Sequence, residues 1–207
     1  MKLAASQELY AYWTKLRGSR RAPERNEVDP GAIRGVLADT FILEVDPALG
    51  YPMRIAGSRT SSFFQRELRG APFLDLWRGT DCLEILDILA SVADDSAPVL
   101  AGVSARPHGM PAVEFELLLL PLRHHGDTHA RILGCCTPKA SPQWLGLLPV
   151  VSMSLLSLRV LDATSAAGAL AQRPDAPEGP ESPGFGAPRE RSRRQHLFVI
   201  SSADHQR

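Results

Sequence analysis

The sequence predicts an α+β fold in which helices form a flap over one face of a five-stranded antiparallel sheet. Between Thr40 and Cys136, two short segments with alternating apolar residues come first, several short helical segments follow, and three longer alternating segments come last. The helical segments carry apolar stripes, which must be buried against the sheet. Because such a flap can enclose a small cavity, this order favours a sensing or docking domain over an enzyme.

Composition is that of one globular domain with an accessory segment. The chain has 207 residues, of which 44% are hydrophobic, and its 23 basic residues equal its 23 acidic residues. Without net charge, no overall field attracts nucleic acid or an anionic membrane. Met1 is not followed by a signal-peptide core, and the apolar stretch from Trp144 to Leu161 is too short and too polar to span a bilayer. We expect a soluble cytoplasmic protein.

An amphipathic helix is predicted near the start of the chain. Ser6 is the expected N-cap, and Gly18 follows the last turn. The apolar face has the spacing i, i+3, i+4, i+7 and consists of Leu9, Tyr12, Trp13 and Leu16.

The next elements are a hairpin and two flap helices. The hairpin strands alternate around Phe41 to Val45 and Tyr51 to Ile55. The first flap helix carries Phe63, Phe64 and Leu68 and ends at Gly70. The second begins at Asp81 and has an apolar face made of Cys82, Ile85, Leu86, Leu89 and Val92.

The last three predicted strands run from Pro98 to Arg106, from Ala112 to Leu122 and from Thr128 to Cys136. The middle strand becomes apolar on both faces at Leu118 and Leu120, so both faces of the sheet must be covered there. The N-terminal helix is the expected cover.

The rest of the chain divides by composition. A further apolar segment from Trp144 to Leu161 is predicted to be a strand or a helix, packed on the domain or on a partner. Ala163 to Arg194 has almost no large apolar residues, which predicts a flexible linker. The short apolar run His196 to Ile200 has the character of a strand that adds to a sheet edge of its own domain or of another protein. We therefore predict a domain at 7–161, a disordered linker at 162–194 and a C-terminal segment at 195–207.

Several short pieces resemble the PAS domain, a sensor module with a five-stranded antiparallel sheet and a helical flap. The pieces are ELYAYWTKLR at Glu8–Arg17, RIAG at Arg54–Gly57, REL-G then FLDLW ending at Trp77, LLLLPL at Leu117–Leu122, ILG at Ile132–Gly134 and WLG at Trp144–Gly146. They are similar to a small bacterial PAS-type family formerly described as a domain of unknown function. The likeness covers about Gln7 to Leu161.

The resemblance implies a strand order of 2-1-5-4-3 and a role in signal transduction through a small ligand or a protein partner, with no catalytic residues. N-terminal helices of PAS-like domains often contact a second copy. The resemblance therefore implies a homodimer contact through Leu9, Tyr12, Trp13 and Leu16.

Cofactor signals are weak. Cys82 lies roughly where flavin-binding photosensor relatives carry an adduct-forming cysteine, but Asp-Cys-Leu-Glu does not match their Asn-Cys-Arg-Phe pattern. No histidine lies between Ser58 and Asp95 to ligate haem. The cluster His124, His125 and His129 lies around a predicted turn, where solvated side chains are expected. We expect no cofactor and no metal, with haem and flavin disfavoured.

The sequence contains no catalytic signature. It lacks a glycine-rich phosphate loop, a Gly-x-Ser-x-Gly elbow and a His-Glu-x-x-His motif. Glu114 and Glu116 share one strand face, as an acid and a base would, but solvation or an ion pair with Arg106 or Arg131 is favoured. We expect a protein that is not an enzyme.

A ligand, if one binds, is expected between the flap and the sheet, although complete filling of the core by the same residues is equally compatible with the sequence. The predicted walls are Phe63, Phe64, Leu68, Trp77, Ile85 and Leu89 on the flap and Phe41, Leu43, Phe115 and Leu117 on the sheet. Arg54 and Arg59 are predicted near the mouth, where they would receive an anionic ligand. The predicted function is that of a non-catalytic sensory or regulatory protein. The alternative is a transcriptional or nucleotide-responsive regulator that acts through the basic run Arg189 to Arg194.

Overall fold

The described part of the chain contains three α-helices and six strands. The computed structural model describes residues 1–125 and 127–161, with the backbone alone for 127–129. In chain order the elements are α1 (Ala4–Arg17), β1 (Thr40–Glu44), β2 (Met53–Ala56), α2 (Ser58–Phe64), α3 (Gly79–Asp94), β3 (Val99–Arg106), β4 (Val113–His124), β5 (Asp127–Pro138) and β6 (Ser152–Val160). The predicted linker at 162–194 and the segment at 195–207, with the run His196 to Ile200, lie outside the described residues.

All six strands form one antiparallel sheet in the order β2-β1-β5-β4-β3-β6. The predicted α+β class and the order 2-1-5-4-3 of the first five strands are confirmed. The number five is wrong, because the apolar segment after Trp144 contributes a sixth strand along the free side of β3. Leu155 and Leu158 of this strand pack against the core on the flap side, which holds β6 on the sheet.

Two apolar cores lie on opposite faces of the sheet, and β4 contributes to both. Leu117 and Leu119 belong to the core under α2 and α3, whereas Leu118 and Leu120 belong to the core under α1. Successive residues of a strand point to opposite faces, so an apolar run must be covered twice. The prediction that the N-terminal helix covers the second face is confirmed, since Trp13 lies in that core.

Helix α1 begins before its predicted N-cap. Ser6 lies inside the helix, is fully buried, and its hydroxyl has no partner among the described residues. Leu3 occupies the N-cap position, and the chain that enters the helix is held by the carboxylate of Glu116 on β4. It accepts hydrogen bonds from the backbone N–H of Lys2 at 2.8 Å and of Leu3 at 3.2 Å. A residue distant in sequence thus fixes the chain just before the first turn of α1.

The flap helices also differ from their predicted bounds. Helix α2 ends at Phe64, because Gln65 has a φ of 51° in the left-handed region. Gly70 therefore ends a turn, not a helix, and its N–H donates to the carbonyl oxygen of Met53 at 2.7 Å. Helix α3 begins at Gly79, which leaves Asp81 in its first turn. The Asp81 Oδ1 atom accepts from the N–H of Leu155 on β6 at 2.9 Å, a bond that connects the flap to the sixth strand.

Cys135 and Cys136 are free thiols on β5 whose side chains lie in different cores. Burial raises the pKa of the Cys135 thiol to about 12, and burial also raises the pKa of Cys136. Burial likewise raises the pKa of the Tyr51 phenol in the core under α2 and α3, with a smaller contribution from the charge of Asp94. The folded protein thus keeps these groups neutral at a pH where the unfolded chain ionises them.

We expect the free energy of unfolding to fall at alkaline pH. The contribution of a thiol with a raised pKa is fully present below the ordinary thiol value of 9.0 and is lost as the pH rises toward about 12. Above the ordinary value each thiol lowers stability by about 1.4 kcal/mol per pH unit. Urea unfolding between about pH 8 and pH 10 measures this slope. The double variant Cys135→Ala/Cys136→Ala should have a shallower slope, with Tyr51 accounting for part of the remainder. Equal slopes in the two proteins would contradict the prediction.

Candidate functional site

The structure brings the predicted apolar pocket residues together in the core between flap and sheet. All are buried in this flap core, namely Phe41, Leu43, Phe63, Phe64, Leu68, Trp77, Ile85, Leu89, Phe115 and Leu117. The flap residues come from α2, from α3 and from the turn between these helices, and the sheet residues come from β1 and β4. Their assignment to a ligand pocket stays a prediction.

Aromatic contacts join the flap to the sheet. The rings of Phe63 on α2 and Phe115 on β4 meet edge to face with centroids 5.2 Å apart. Phe73, in the turn before α3, stacks on Phe41 of β1 at 5.4 Å and meets Trp77 edge to face at 5.9 Å. Sequence reasoning missed Phe73, although it opens the FLDLW piece. The signal was the spacing of four residues between Phe73 and Trp77, because a helical turn places two residues at this spacing on the same side of the chain.

The flap also contains buried polar atoms. The indole Nε1 of Trp77, which is 1% exposed, has no hydrogen-bond partner among the described residues, and the same holds for the hydroxyl of Thr60, which is 2% exposed. An unsatisfied buried donor or acceptor costs about 1–3 kcal/mol. Such atoms are therefore rare in folded proteins and mark places where a water molecule or a ligand completes the bonding.

The structure sets Arg54 apart from the flap core. Its side chain is 58% exposed and forms an ion pair with Glu44, which also pairs with Arg131 at 3.2 Å. The physical reason is alternation along the strand: Met53 lies in the flap core, so the next residue, Arg54, points to the opposite face of the sheet, where Glu44 pairs with it. A role of Arg54 at the pocket mouth therefore finds no support in the geometry.

Arg59 is likewise engaged by a carboxylate. Its Nη1 atom lies 2.5 Å from Oδ2 of Asp39, which is 2% exposed. The second oxygen of Asp39, Oδ1, has no partner among the described residues. The pair connects the start of α2 to the turn before β1. Arg59 therefore already balances the buried carboxylate of Asp39 when no anionic ligand is bound.

Glu114 and Glu116 do not act as a pair. Glu114 is exposed and bonds to Lys139 at 2.5 Å, and this hydrogen bond lowers the pKa of the Glu114 carboxyl. Glu116 is buried and holds the start of α1. The exposure of Glu114 agrees with the predicted solvated face, whereas among the described residues neither carboxylate forms the alternative ion pair with Arg106 or Arg131. The two carboxylates have separate structural roles.

The predicted interaction residues on α1 divide into two groups. Leu9 and Trp13 are fully buried against the sheet, and the Trp13 Nε1 atom donates to the carbonyl oxygen of Pro121 at 2.8 Å. Tyr12 and Leu16 remain partly exposed. A homodimer contact through this helix would therefore rest on Tyr12 and Leu16, while the other two residues hold the helix in place.

Cys82 and the histidines complete the predicted sites. Cys82 is half-buried in the first turn of α3, with its Sγ atom 4.0 Å from the carbonyl oxygen of Leu74. Within the described residues, no three His, Cys, Asp or Glu side chains are grouped closely enough to hold a metal ion. His124 and His125 have ring centroids 4.1 Å apart, whereas the side chain of His129 is not described. The absence of a metal stays a prediction.

The profile of a family described as PAS domain matches residues 1–137. This chain belongs to the PAS domain family. The match includes α1, both flap helices, the first four strands and all but the last residue of β5, so the sequence resemblance to a PAS domain is confirmed. PAS domains are sensory and signalling domains, and the chain has that general role. Strand β6 lies beyond the matched residues.

One solved structure that the chain matches is titled as a structure of a variant of RsLOV. It has 15% sequence identity to this PAS domain and a TM-score of 0.40, and the alignment covers 53% of this chain and 67% of that chain. No curated protein sequence matches the chain significantly. None of the helices in the described ranges has the length and apolar character needed to cross a membrane.

The expectation that disfavoured flavin is corrected by this comparison. The similar structure is a LOV protein, and LOV domains are the flavin-binding photosensors against which the surroundings of Cys82 were compared. The expectation was wrong because it relied on four residues around one cysteine. Such a motif concerns adduct formation by the thiol, whereas binding of a ring system depends on the whole cavity.

Proposed function

We propose that this PAS domain is a non-catalytic sensory module whose flap core binds a small, largely apolar molecule that carries a hydrogen-bond acceptor. The observation that carries the proposal is the Nε1 atom of Trp77, a buried donor without a partner among the described residues. A ligand that accepts this hydrogen bond removes the cost of the unpaired donor and gains affinity from the aromatic walls.

Space for such a ligand arises from movement of the flap and from adaptable side chains. Met53 on β2 and Met153 on β6 both line the flap core. Methionine side chains are flexible and change rotamer at little cost. The flap is also fixed by a few separate bonds, including one from the N–H of Val150 to the carbonyl oxygen of Phe63 at 2.8 Å. A ligand that binds the opened form better shifts the population toward it.

The sheet offers a physical route from the flap core to α1. On β4, Phe115 and Leu117 contact the flap core, while the next residues along the same strand contact α1. The carbonyl oxygen of Pro121 on this strand accepts the Trp13 hydrogen bond. A change in packing under the flap therefore alters the support of α1, where Leu16 and the part of Tyr12 not engaged by the N–H of Asp29 keep some exposed surface.

The proposal is tested by identifying and then weakening a bound molecule. Native mass spectrometry and an absorbance spectrum of the full chain should reveal a co-purified small molecule. The variant Trp77→Phe should bind it about tenfold more weakly by calorimetry, because one hydrogen bond contributes about 1–1.5 kcal/mol. Trp144 packs against the flap core but is partly exposed, so it serves as the matched control, and Trp144→Phe should weaken binding much less than Trp77→Phe.

Two results would contradict the proposal. One is a purified chain with no bound mass and no binding of the apolar aromatic dye 8-anilinonaphthalene-1-sulfonate. The other is equal loss of affinity in Trp77→Phe and Trp144→Phe. The alternative of a regulator that acts through Arg189 to Arg194 concerns residues outside the described ranges and has no observation in its favour. Protein partner and cytoplasmic location stay predictions.

A further inference from the structure

Strand β6 forms an outer edge of the sheet that is covered along only part of its length. One side of the strand pairs with β3. On the other side, Met153 forms a backbone bridge with Trp77, and the N–H of Leu155 donates to the Asp81 carboxylate. From Leu156 to Val160 no strand in the described ranges pairs with this outer side. Five residues of edge are therefore open.

The open part of the edge has the properties of a docking strand. Leu156 is 42% exposed and Val160 is 55% exposed, and Leu158 between them is partly buried. Proteins usually protect an open edge with lysines, prolines or inward-pointing charges. The stretch LSLRV contains one charge, Arg159, and no proline. An added strand would pair with the free backbone groups of this stretch and would cover part of the exposed side chains of Leu156 and Val160.

We propose that the chain's own segment His196 to Ile200 occupies this edge as a seventh strand. The segment, HLFVI, has five residues rich in types that favour strands, the same length as the open edge. The linker predicted from composition at 162–194 has a root-mean-square span on the order of 30 Å. The open edge begins at Leu156 and the described chain ends at Leu161, close to it, so the linker reaches it with ease. Intramolecular docking also has the advantage of an effective concentration in the millimolar range.

Charge complementarity supports the same occupant. Helix α3 lies beside β6 and carries Asp81, Glu84, Asp87 and Asp94 without any lysine or arginine. Glu84 and Asp87 are exposed. The segment His196 to Ile200 is preceded directly by the basic run Arg189 to Arg194. Docking of the segment beside β6 would bring this basic run near the acidic helix α3. A second copy of the domain on the same edge would instead bring a second acidic α3 near the first, which is electrostatically unfavourable.

Hydrogen exchange on the full chain tests the proposal. The outward amides of Leu156 to Val160 should be protected in the unmodified chain. In Val199→Pro they should exchange about tenfold faster, because a proline removes a donor and disrupts the added strand. The control variant Ala167→Pro, in the linker, should leave their exchange unchanged. Protection in the unmodified chain should also be independent of protein concentration, as expected for docking within one molecule.

Three outcomes would overturn the proposal. Unprotected amides in the unmodified chain would show an edge without an occupant. Protection that persists in Val199→Pro would exclude the segment His196 to Ile200 as the occupant. Protection that decreases on dilution would identify a second copy of the chain on this edge.

Discussion

Replacing Gly134 by alanine should destabilise the fold by about 3 kcal/mol, at the upper end of the usual cost of overpacking a core. Gly134 lies on β5 directly opposite Phe41 on β1. A Cβ atom at this position would lie 2.1 Å from Cζ of Phe41. The phenyl ring cannot move aside, because it is 1% exposed and stacks on Phe73. Urea unfolding of the two proteins measures the difference.

Gly102→Ala is the matched control for this substitution. A Cβ atom at Gly102, on β3 of the same sheet, would lie 2.6 Å from the hydroxyl oxygen of Ser157, which rotation of the serine side chain removes. We expect a cost below about 1 kcal/mol, since alanine also reduces the entropy of the unfolded chain. In the Gly134→Ala background, Phe41→Leu should recover part of the loss, a coupling that a double-mutant cycle detects. Similar losses in Gly134→Ala and Gly102→Ala would contradict the steric argument.

Replacing Trp13 by alanine should lower stability by about 3–5 kcal/mol, the usual cost of truncating a buried tryptophan. Trp13 is the largest fully buried side chain in the core under α1. Its loss opens a cavity and leaves the carbonyl oxygen of Pro121 without its hydrogen bond. Besides urea unfolding, faster hydrogen exchange of the α1 amides than of the β4 amides should report detachment of this helix.

The variant Trp13→Phe separates the two contributions. Phenylalanine fills much of the volume but cannot donate to Pro121. We expect a loss of about 1–3 kcal/mol from the unpaired carbonyl oxygen and the small remaining cavity. A loss in Trp13→Ala no larger than in Trp13→Phe would show that the volume of the indole contributes little to the attachment of α1.

Much of the fold and of the candidate site follows from local patterns in the sequence. Alternation along β4 predicts that Leu117 and Leu118 face opposite cores, and the structure places them there. The same kind of pattern predicts the apolar residues under the flap. Short-range periodicity depends on neighbours in the chain, whose geometry is nearly independent of the rest of the fold. The family resemblance added the strand order, which periodicity alone does not supply.

Other features depend on residues that are far apart in sequence. The ILG and RIAG pieces marked Gly134 and Gly57, but their physical reason appears only in the folded chain, where a Cβ atom would meet Phe41 or the backbone at Ala38. The sequence favours a solvated or ion-paired Glu116, whereas in the folded chain this carboxylate holds the start of α1. In each case the function of the residue is set by a partner that no sequence window contains.

The sequence by itself determined the order of the elements, the faces of the strands and the family of this protein. The tertiary structure decided that the segment after Trp144 becomes β6, that Arg54 pairs with Glu44 and that the indole nitrogen of Trp77 finds no partner within the described ranges. The physical reason is the range of the interactions involved. Backbone propensity and alternation act over a few residues, whereas strand addition, ion pairing and burial of a polar atom depend on which distant surfaces meet.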